Sequence, residues 1–230
     1  MQTLIVVGHP QPKDSDTQEF LKTAAGFLNQ ITWHELANIN QFDPAAERRL
    51  LDQNQRIILQ FPLYWYSAPA ILKKWLDDIL PESSQFKLTQ KELGLVVSFS
   101  HAQTEFKLGG RVGYSLSELL SPFAALAKHF EMKLLPVFSI ERFAYLGQLA
   151  RQKLLLDYQQ FLELPQPQTF AAKEKWFLSK LSVLIKQTGN VELQQKLKLI
   201  AEQITDNQDQ LAELTKLVHD FREDDSLNGK

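Results

Sequence analysis

The chain has 230 residues, 44% hydrophobic and 23% charged, with a formal net charge of -2, ordinary for a soluble globular protein and without a global field for nucleic acid or an acidic membrane. It has no cysteine, which excludes a disulfide framework and thiolate chemistry and suits a reducing compartment. The opening MQTLIVVGHP lacks the basic start and long apolar run of a signal peptide, and no apolar run is long enough to span a bilayer, so a cytoplasmic protein without membrane insertion is expected.

In chain order, TLIVVG reads as a strand buried on both faces. Asp16 with Glu19 resembles a capping box, with Ser15 as the other candidate cap, and opens a helix carrying Phe20, Leu21, Ala24 and Leu28. A second strand is predicted at Ile31–Leu36. The polar stretch Ala37–Gln55 contains a short helix from Pro44. A third strand, Arg56–Phe61, leads into FPLYWYSAPAILKKWLDDIL, residues 61–80. Ser67 and Pro69 start a helix with the stripe Ile71, Leu72, Trp75, Leu76 and Ile79. Strand four is expected at Leu93–Phe99, and a loop to Gly113 follows. Ser115 with Glu118 opens a helix through about Phe130. Strand five is expected at Lys133–Ile140 and a helix from about Gln148 to Leu162.

Apolar strands alternating with helices predict an α/β fold, a doubly wound five-stranded parallel sheet in the flavodoxin-like order 2-1-3-4-5. In that order a ligand sits beyond the carboxyl ends of the strands, where the order reverses between strands one and three. The loops Gly8–Asp16, Pro62–Ala68 and Ser98–Gly113 fall there. The remainder differs in character. LPQPQ from Leu164 reads as a linker, dividing a domain at 1–163 from a helical extension at 164–230. Within the extension Leu193, Leu197, Ile200, Ile204, Asn207, Leu211, Leu214, Val218 and Phe221 follow alternating steps of four and three, a heptad seam with one polar member. The last ten residues read as frayed.

There is no G-x-G-x-x-G, P-loop or G-x-S-x-G, and the five histidines show no ligand spacing, which argues against a metal site. Asp77 and Asp78 read as a solvated helix face. Three loops at one sheet edge remain. The first carries His9, Lys13, Ser15 and Thr17 into a helix start, an arrangement that serves either as an anion site or as a plain capped turn. The second, PLYWYSAP, offers flat side chains and main-chain donors to a planar ring, or packs a helix onto the sheet. The third, SFSHAQTEFKLGGRVGY, lines such a ring or is a surface excursion.

HPQPKDS, residues 61–80 and the Leu134-Leu135-Pro136-Val137 run resemble the flavodoxin-like NAD(P)H:quinone oxidoreductases. These include DT-diaphorase-like enzymes and the quinone reductases ancillary to potassium-efflux systems. The resemblance covers about two-thirds of the chain, with residues 61–80 as its specific part. It implies a flavin, FMN or FAD, reduced by NAD(P)H and reoxidised by a quinone-type acceptor in a ping-pong cycle, and a homodimer with active sites near the partner. It also implies that His9, Ser15, Thr17 and Gln18 surround the flavin phosphate, with Gln18 standing where asparagine is frequent. Pro62, Leu63, Tyr64, Trp65 and Tyr66 would border the ring. Ser98, Phe99, Ser100 and His101 replace the family's T-T-G-G run, and Phe106 and Val112 stand where a tyrosine and a histidine are common. Ser98, Ser100 and His101 are the candidate catalytic residues, at the ring edge where negative charge develops. Two further readings compete: a regulatory or interaction protein that keeps this frame with a degenerate site, and a hydrolase using Ser98 or Ser100 with His101.

Overall fold

The computed structural model describes residues 1–36, 42–81 and 86–228. Ala37–Gln41, the start of the polar stretch predicted between strand two and strand three, lies outside them, as does the side chain of Phe221 in the heptad seam. By contacts the chain divides into two units, Met1–Glu163 and Leu164–Lys230.

The first unit is a parallel sheet in the order β2-β1-β3-β4, with β5 and β6 sharing the far edge. β1 (Thr3–Val7) pairs with β2 (Ile31–Glu35) and with β3 (Arg56–Pro62), and β3 pairs with β4 (Glu92–Phe99). This is the predicted flavodoxin-like order. Strand five departs from expectation. It is broken into β5 (Lys133–Leu134) and β6 (Phe138–Glu141), both alongside β4. Pro136 sits in the gap; a proline has no N–H to give a ladder, so the strand loses its pairing there.

Alternation along the strands sorts the core onto two faces. Leu4, Val6, Ile57, Leu59, Phe61, Leu93, Leu95 and Val97 face one cluster, covered by α2 (Pro44–Gln53), α3 (Ala70–Ile79) and α5 (Ser121–His129). Ile5, Val7, Ile58 and Val96 face the other, covered by α1 (Asp16–Gly26) and α6 (Gln148–Glu163). Gly94 is required on that second face. A Cβ there would lie 2.5 Å from Ile58 Cδ1 and 3.0 Å from the Phe161 ring.

Caps explain where the helices start. Ser15 rather than Asp16 caps α1, its hydroxyl accepting from the Gln18 N–H, and Asp43 caps α2. The Ser115–Glu118 capping box forms, but it opens only α4 (Leu116–Leu119), and the chain restarts as α5 with Pro122 in its first turn. The single helix predicted there is therefore two. Proline contributes no N–H at the first turn of a helix, so it favours a new start over continuation.

Three polar groups buried in this core determine how helices sit on the sheet. Arg56, fully buried at the start of β3, bonds Glu92 Oε2 through Nε at 2.7 Å and the Phe161 carbonyl through Nη1 at 2.6 Å. Glu47 of α2 accepts from Trp75 Nε1 of α3 at 2.9 Å and pairs with His34 Nε2 of β2 at 2.9 Å. Gln60 of β3 donates to Gln18 Oε1 of α1 and accepts from the Tyr158 hydroxyl of α6, each at 2.6 Å.

The second unit is a helical hairpin of α7 (Phe170–Gln187) and α8 (Val191–Asn228). Thr169 caps α7, and Asn190 accepts from the Leu193 N–H at the turn between the helices. Among the described residues no helix is long and apolar enough to cross a membrane.

Candidate functional site

The carboxyl ends of β1, β3 and β4 deliver three loops to one edge of the sheet. After β1, Gly8 donates its N–H to the Gln60 carbonyl, which keeps the first loop against β3. A Cβ on Gly8 would lie 2.6 Å from Leu72 Cβ, so only glycine lets α3 approach this closely. His9 is buried beside that junction. Its Nδ1 accepts from the Gln11 N–H at 3.0 Å, which leaves the ring proton on Nε2, facing the Tyr64 hydroxyl at 3.4 Å. Burial pushes the His9 imidazole below its ordinary value, outweighing the nearby Asp14 charge, and so favours the neutral ring. His9 thus supports Tyr64 edge-on and joins the first loop to the second.

The second loop is the unusual one. Leu63 donates to the Ser98 carbonyl at 2.8 Å, and Tyr64 and Ser67 exchange main-chain hydrogen bonds at 2.9 and 3.1 Å. Between them Trp65 and Tyr66 have φ of 47° and 63°. Two successive left-handed residues make a type I′ turn, which ordinarily takes Asn-Gly. Bulky residues there cost on the order of 1–2 kcal/mol each. Packing offsets little of this at Trp65, which is 93% exposed, while Tyr64 and Tyr66 are about half-exposed. Nor do the Trp65 and Tyr66 N–H groups meet an acceptor among the described residues. Strained backbone, partly open aromatic faces and two main-chain donors without an internal acceptor coincide in this turn.

The third loop faces it. Ser100 and His101 follow β4, and Phe106 folds back so that its ring packs on Phe99 with centroids 4.7 Å apart. Gln103 anchors the loop to β6: its N–H reaches Glu141 and its side-chain carbonyl accepts from the Ser139 hydroxyl at 2.9 Å. Between the loops lies a cleft of about 360 Å³ lined by Leu63, Tyr64, Trp65, Tyr66, Phe99, Ser100, His101 and Phe106. Its chemistry fits a planar heteroaromatic ring: aromatic and aliphatic walls, with main-chain donors and His101 for ring polar atoms. Glu105, beside His101 at 3.5 Å and Arg111 at 3.9 Å, completes the polar side of this loop.

Of the residues singled out in the sequence, eight therefore line one cleft: Leu63, Tyr64, Trp65, Tyr66, Phe99, Ser100, His101 and Phe106. Pro62 and Ser98 lie one step back, as neighbours in the β3–β4 ladder. The phosphate candidates are more dispersed. Ser15 is committed to capping, Thr17 is half-buried with no side-chain hydrogen bond among the described residues, and Gln18 is buried and tied to Gln60. Gln18 also borders a separate hollow of about 300 Å³ that includes Lys13 and Lys22. Sequence reasoning missed the support behind these loops, above all Gln60 and Tyr158. A glutamine inside the otherwise apolar RIILQF strand was the available signal. No group of acidic, histidine or cysteine side chains able to hold a metal occurs among the described residues.

This fold, with a cleft beyond the carboxyl ends of β3 and β4, defines a flavodoxin-like protein. The chain belongs to the flavodoxin-like fold family, whose model matches residues 1–162. It is 37% identical over 150 residues to the uncharacterized NAD(P)H oxidoreductase YrkL of Bacillus subtilis, covering 60% of this chain and 84% of that protein. The NADPH-quinone reductase of P. pentosaceus superposes with a TM-score of 0.68 at 42% identity, covering 72% of this chain and 99% of its own. General stress protein 14 of Treponema denticola, solved in complex with FMN, gives a TM-score of 0.63 at 29% identity over 71% of this chain and 98% of its own. The family match stops before α7 and α8.

Proposed function

We propose that this protein is a flavin-dependent NAD(P)H:quinone oxidoreductase that binds FMN between its second and third loops. The observation that carries the reading is the Trp65–Tyr66 turn, where strain, exposed rings and unanswered N–H groups coincide. The names of the P. pentosaceus reductase and of YrkL support the reaction class, and the T. denticola complex supports FMN over FAD.

A bound flavin supplies a ring that takes a hydride equivalent from NAD(P)H and passes two electrons to an acceptor. The chain's own part is placement and electrostatics. In this reading the Trp65 and Tyr66 N–H groups, which have no acceptor among the described residues, would donate to polar ring atoms, and Tyr64 and Trp65 would give the ring an apolar wall. Ser100 and His101, with Ser98 behind them, take the edge where negative charge develops, a role in which pre-aimed donors lower the barrier. His9, Ser15, Thr17, Gln18 and Lys13 are assigned to the side chain and phosphate of the cofactor. Phe99 and Phe106 exclude water from the third-loop side.

Trp65→Gly tests this directly, because glycine relieves the left-handed backbone while removing the indole. The folded protein is expected to change in stability by less than about 1 kcal/mol. FMN affinity, followed by quenching of flavin fluorescence, is expected to fall roughly 10–100-fold, the loss of about 1.5–3 kcal/mol of aromatic burial. An unchanged FMN affinity in a folded variant would remove Trp65 from the site.

A further inference from the structure

We propose that α8 pairs with the α8 of a second copy of this chain, through the stripe Leu193, Ile200, Asn207, Leu211, Leu214 and Val218. The two helices of the hairpin are unequal, 18 residues in α7 against 38 in α8. At 1.5 Å per residue that is about 27 Å against about 57 Å, so α7 can cover only half of its neighbour.

What α7 does cover is one side of the seam, the side that carries Leu197 and Ile204. Gln194 Nε2 donates to the Ile185 carbonyl at 3.0 Å and Gln208 Nε2 to Glu174 Oε2 at 3.3 Å. Leu197, Ala201 and Ile204 are half-buried along the same line. The remaining seam positions lie roughly a quarter turn round the helix. There Leu193, Ile200, Leu214 and Val218 are 46%, 47%, 58% and 50% exposed, while Leu211, 46% exposed, also borders α7 beside Phe170 and Leu178. Asn207 is exposed among them, its Oδ1 held by the Gln203 side chain of the same helix at 3.1 Å.

A run of apolar residues at heptad spacing fits a second helix, whose side chains interlock with it at the same interval. Two features select a second copy as that helix. First, the residues flanking the stripe on its open side, Lys196, Gln203, Gln210 and Leu217, carry one charge, and Lys196 is paired with Glu192 of its own helix at 2.5 Å. Coiled coils that choose a different partner encode the choice in flanking charges. This stripe has no such code, and self-pairing meets no like-charge repulsion. Second, Asn207 lies midway between Leu193 and Phe221 in the seam. In a pair centred there each Asn207 amide meets its own counterpart. An apolar partner residue would leave a polar group buried and unsatisfied, at about 1–3 kcal/mol.

The chain contains no cysteine, so an introduced one is its only thiol. Full-length Asn207→Cys, oxidised at micromolar concentration, is expected to convert to covalent dimer. Glu202→Cys, on the opposite face of α8, controls for random collision and is expected to stay largely monomeric. Adding Ile200→Asp with Leu214→Asp to Asn207→Cys is expected to slow cross-linking at least about tenfold. The inference is overturned if Asn207→Cys remains monomeric, if Glu202→Cys cross-links as fast, or if the aspartate pair changes nothing. The Asn207–Glu202 comparison stands on its own should the aspartates fray α8, and failure of pure protein to cross-link would assign the stripe to a foreign partner. None of these readouts requires flavin.

Discussion

Glu92→Ala is expected to destabilise the first unit by about 3–5 kcal/mol, a third or more of the total for a typical domain. Its partner Arg56 is completely buried at the base of β3, with Nε and Nη2 both 2.7 Å from Glu92 Oε2. Deleting the carboxylate takes from the buried guanidinium the oxygen that both Nε and Nη2 reach, and the cost is that of a desolvated cation losing an ionic partner rather than of one lost hydrogen bond. Lys133, 3.5 Å from the other Glu92 oxygen and half-exposed, returns to water at little cost. The effect is expected to shrink on replacing both partners. Arg56→Met with Glu92→Leu is expected to recover most of the loss, because two apolar side chains need no solvation. Urea denaturation followed by tryptophan fluorescence measures both variants. A loss below about 1 kcal/mol for Glu92→Ala would show that water reaches Arg56.

Trp75→Ala is expected to cost about 3–5 kcal/mol, the range for emptying a buried aromatic site. Trp75 is 1% exposed between α3 and the sheet and also donates to Glu47. Trp75→Phe separates the two contributions: it keeps most of the volume, and its cost of about 1–3 kcal/mol comes from the donor withdrawn from Glu47. Burial alone would push the Glu47 carboxyl up. The hydrogen bonds from His34 and Trp75, with the His34 charge, outweigh burial and hold it below its ordinary value. A lowered carboxyl stabilises the fold above its unfolded value and loses that contribution as pH falls through the folded one. The difference between wild type and Trp75→Phe in urea is therefore expected to shrink on acidification from pH 7 to below the ordinary carboxylate range. A difference that grows in acid would reverse this assignment.

Much of this was legible in the chain, for reasons particular to each part. Continuous apolar runs such as TLIVVG and LGLVV, short and alternating with helical patterns, suit strands covered on both faces, and that alternation suggested the sheet order. The aromatic second loop was legible because two prolines forbid a regular element while three exposed rings forbid an ordinary loop. Its left-handed turn was not, since Trp65-Tyr66 carries none of the glycine or asparagine that marks such a turn. Pro136 was visible, yet an apolar run across it read as one strand; the break depends on which N–H the ladder needed. Tyr158 looked like one more member of a helix stripe, because only the folded sheet brings it to Gln60. The heptad seam was correctly periodic, but spacing alone could not tell that α7 takes one flank and leaves the other open.

The measurement that bears most directly on the proposed activity is the visible spectrum of the purified full chain after FMN is added and excess is removed by gel filtration. The account predicts a retained yellow flavin spectrum, bleached by NAD(P)H and restored by a quinone. A colourless protein that retains neither FMN nor FAD, or a retained flavin that NAD(P)H cannot bleach, would contradict it and turn the same frame into that of an interaction or regulatory protein.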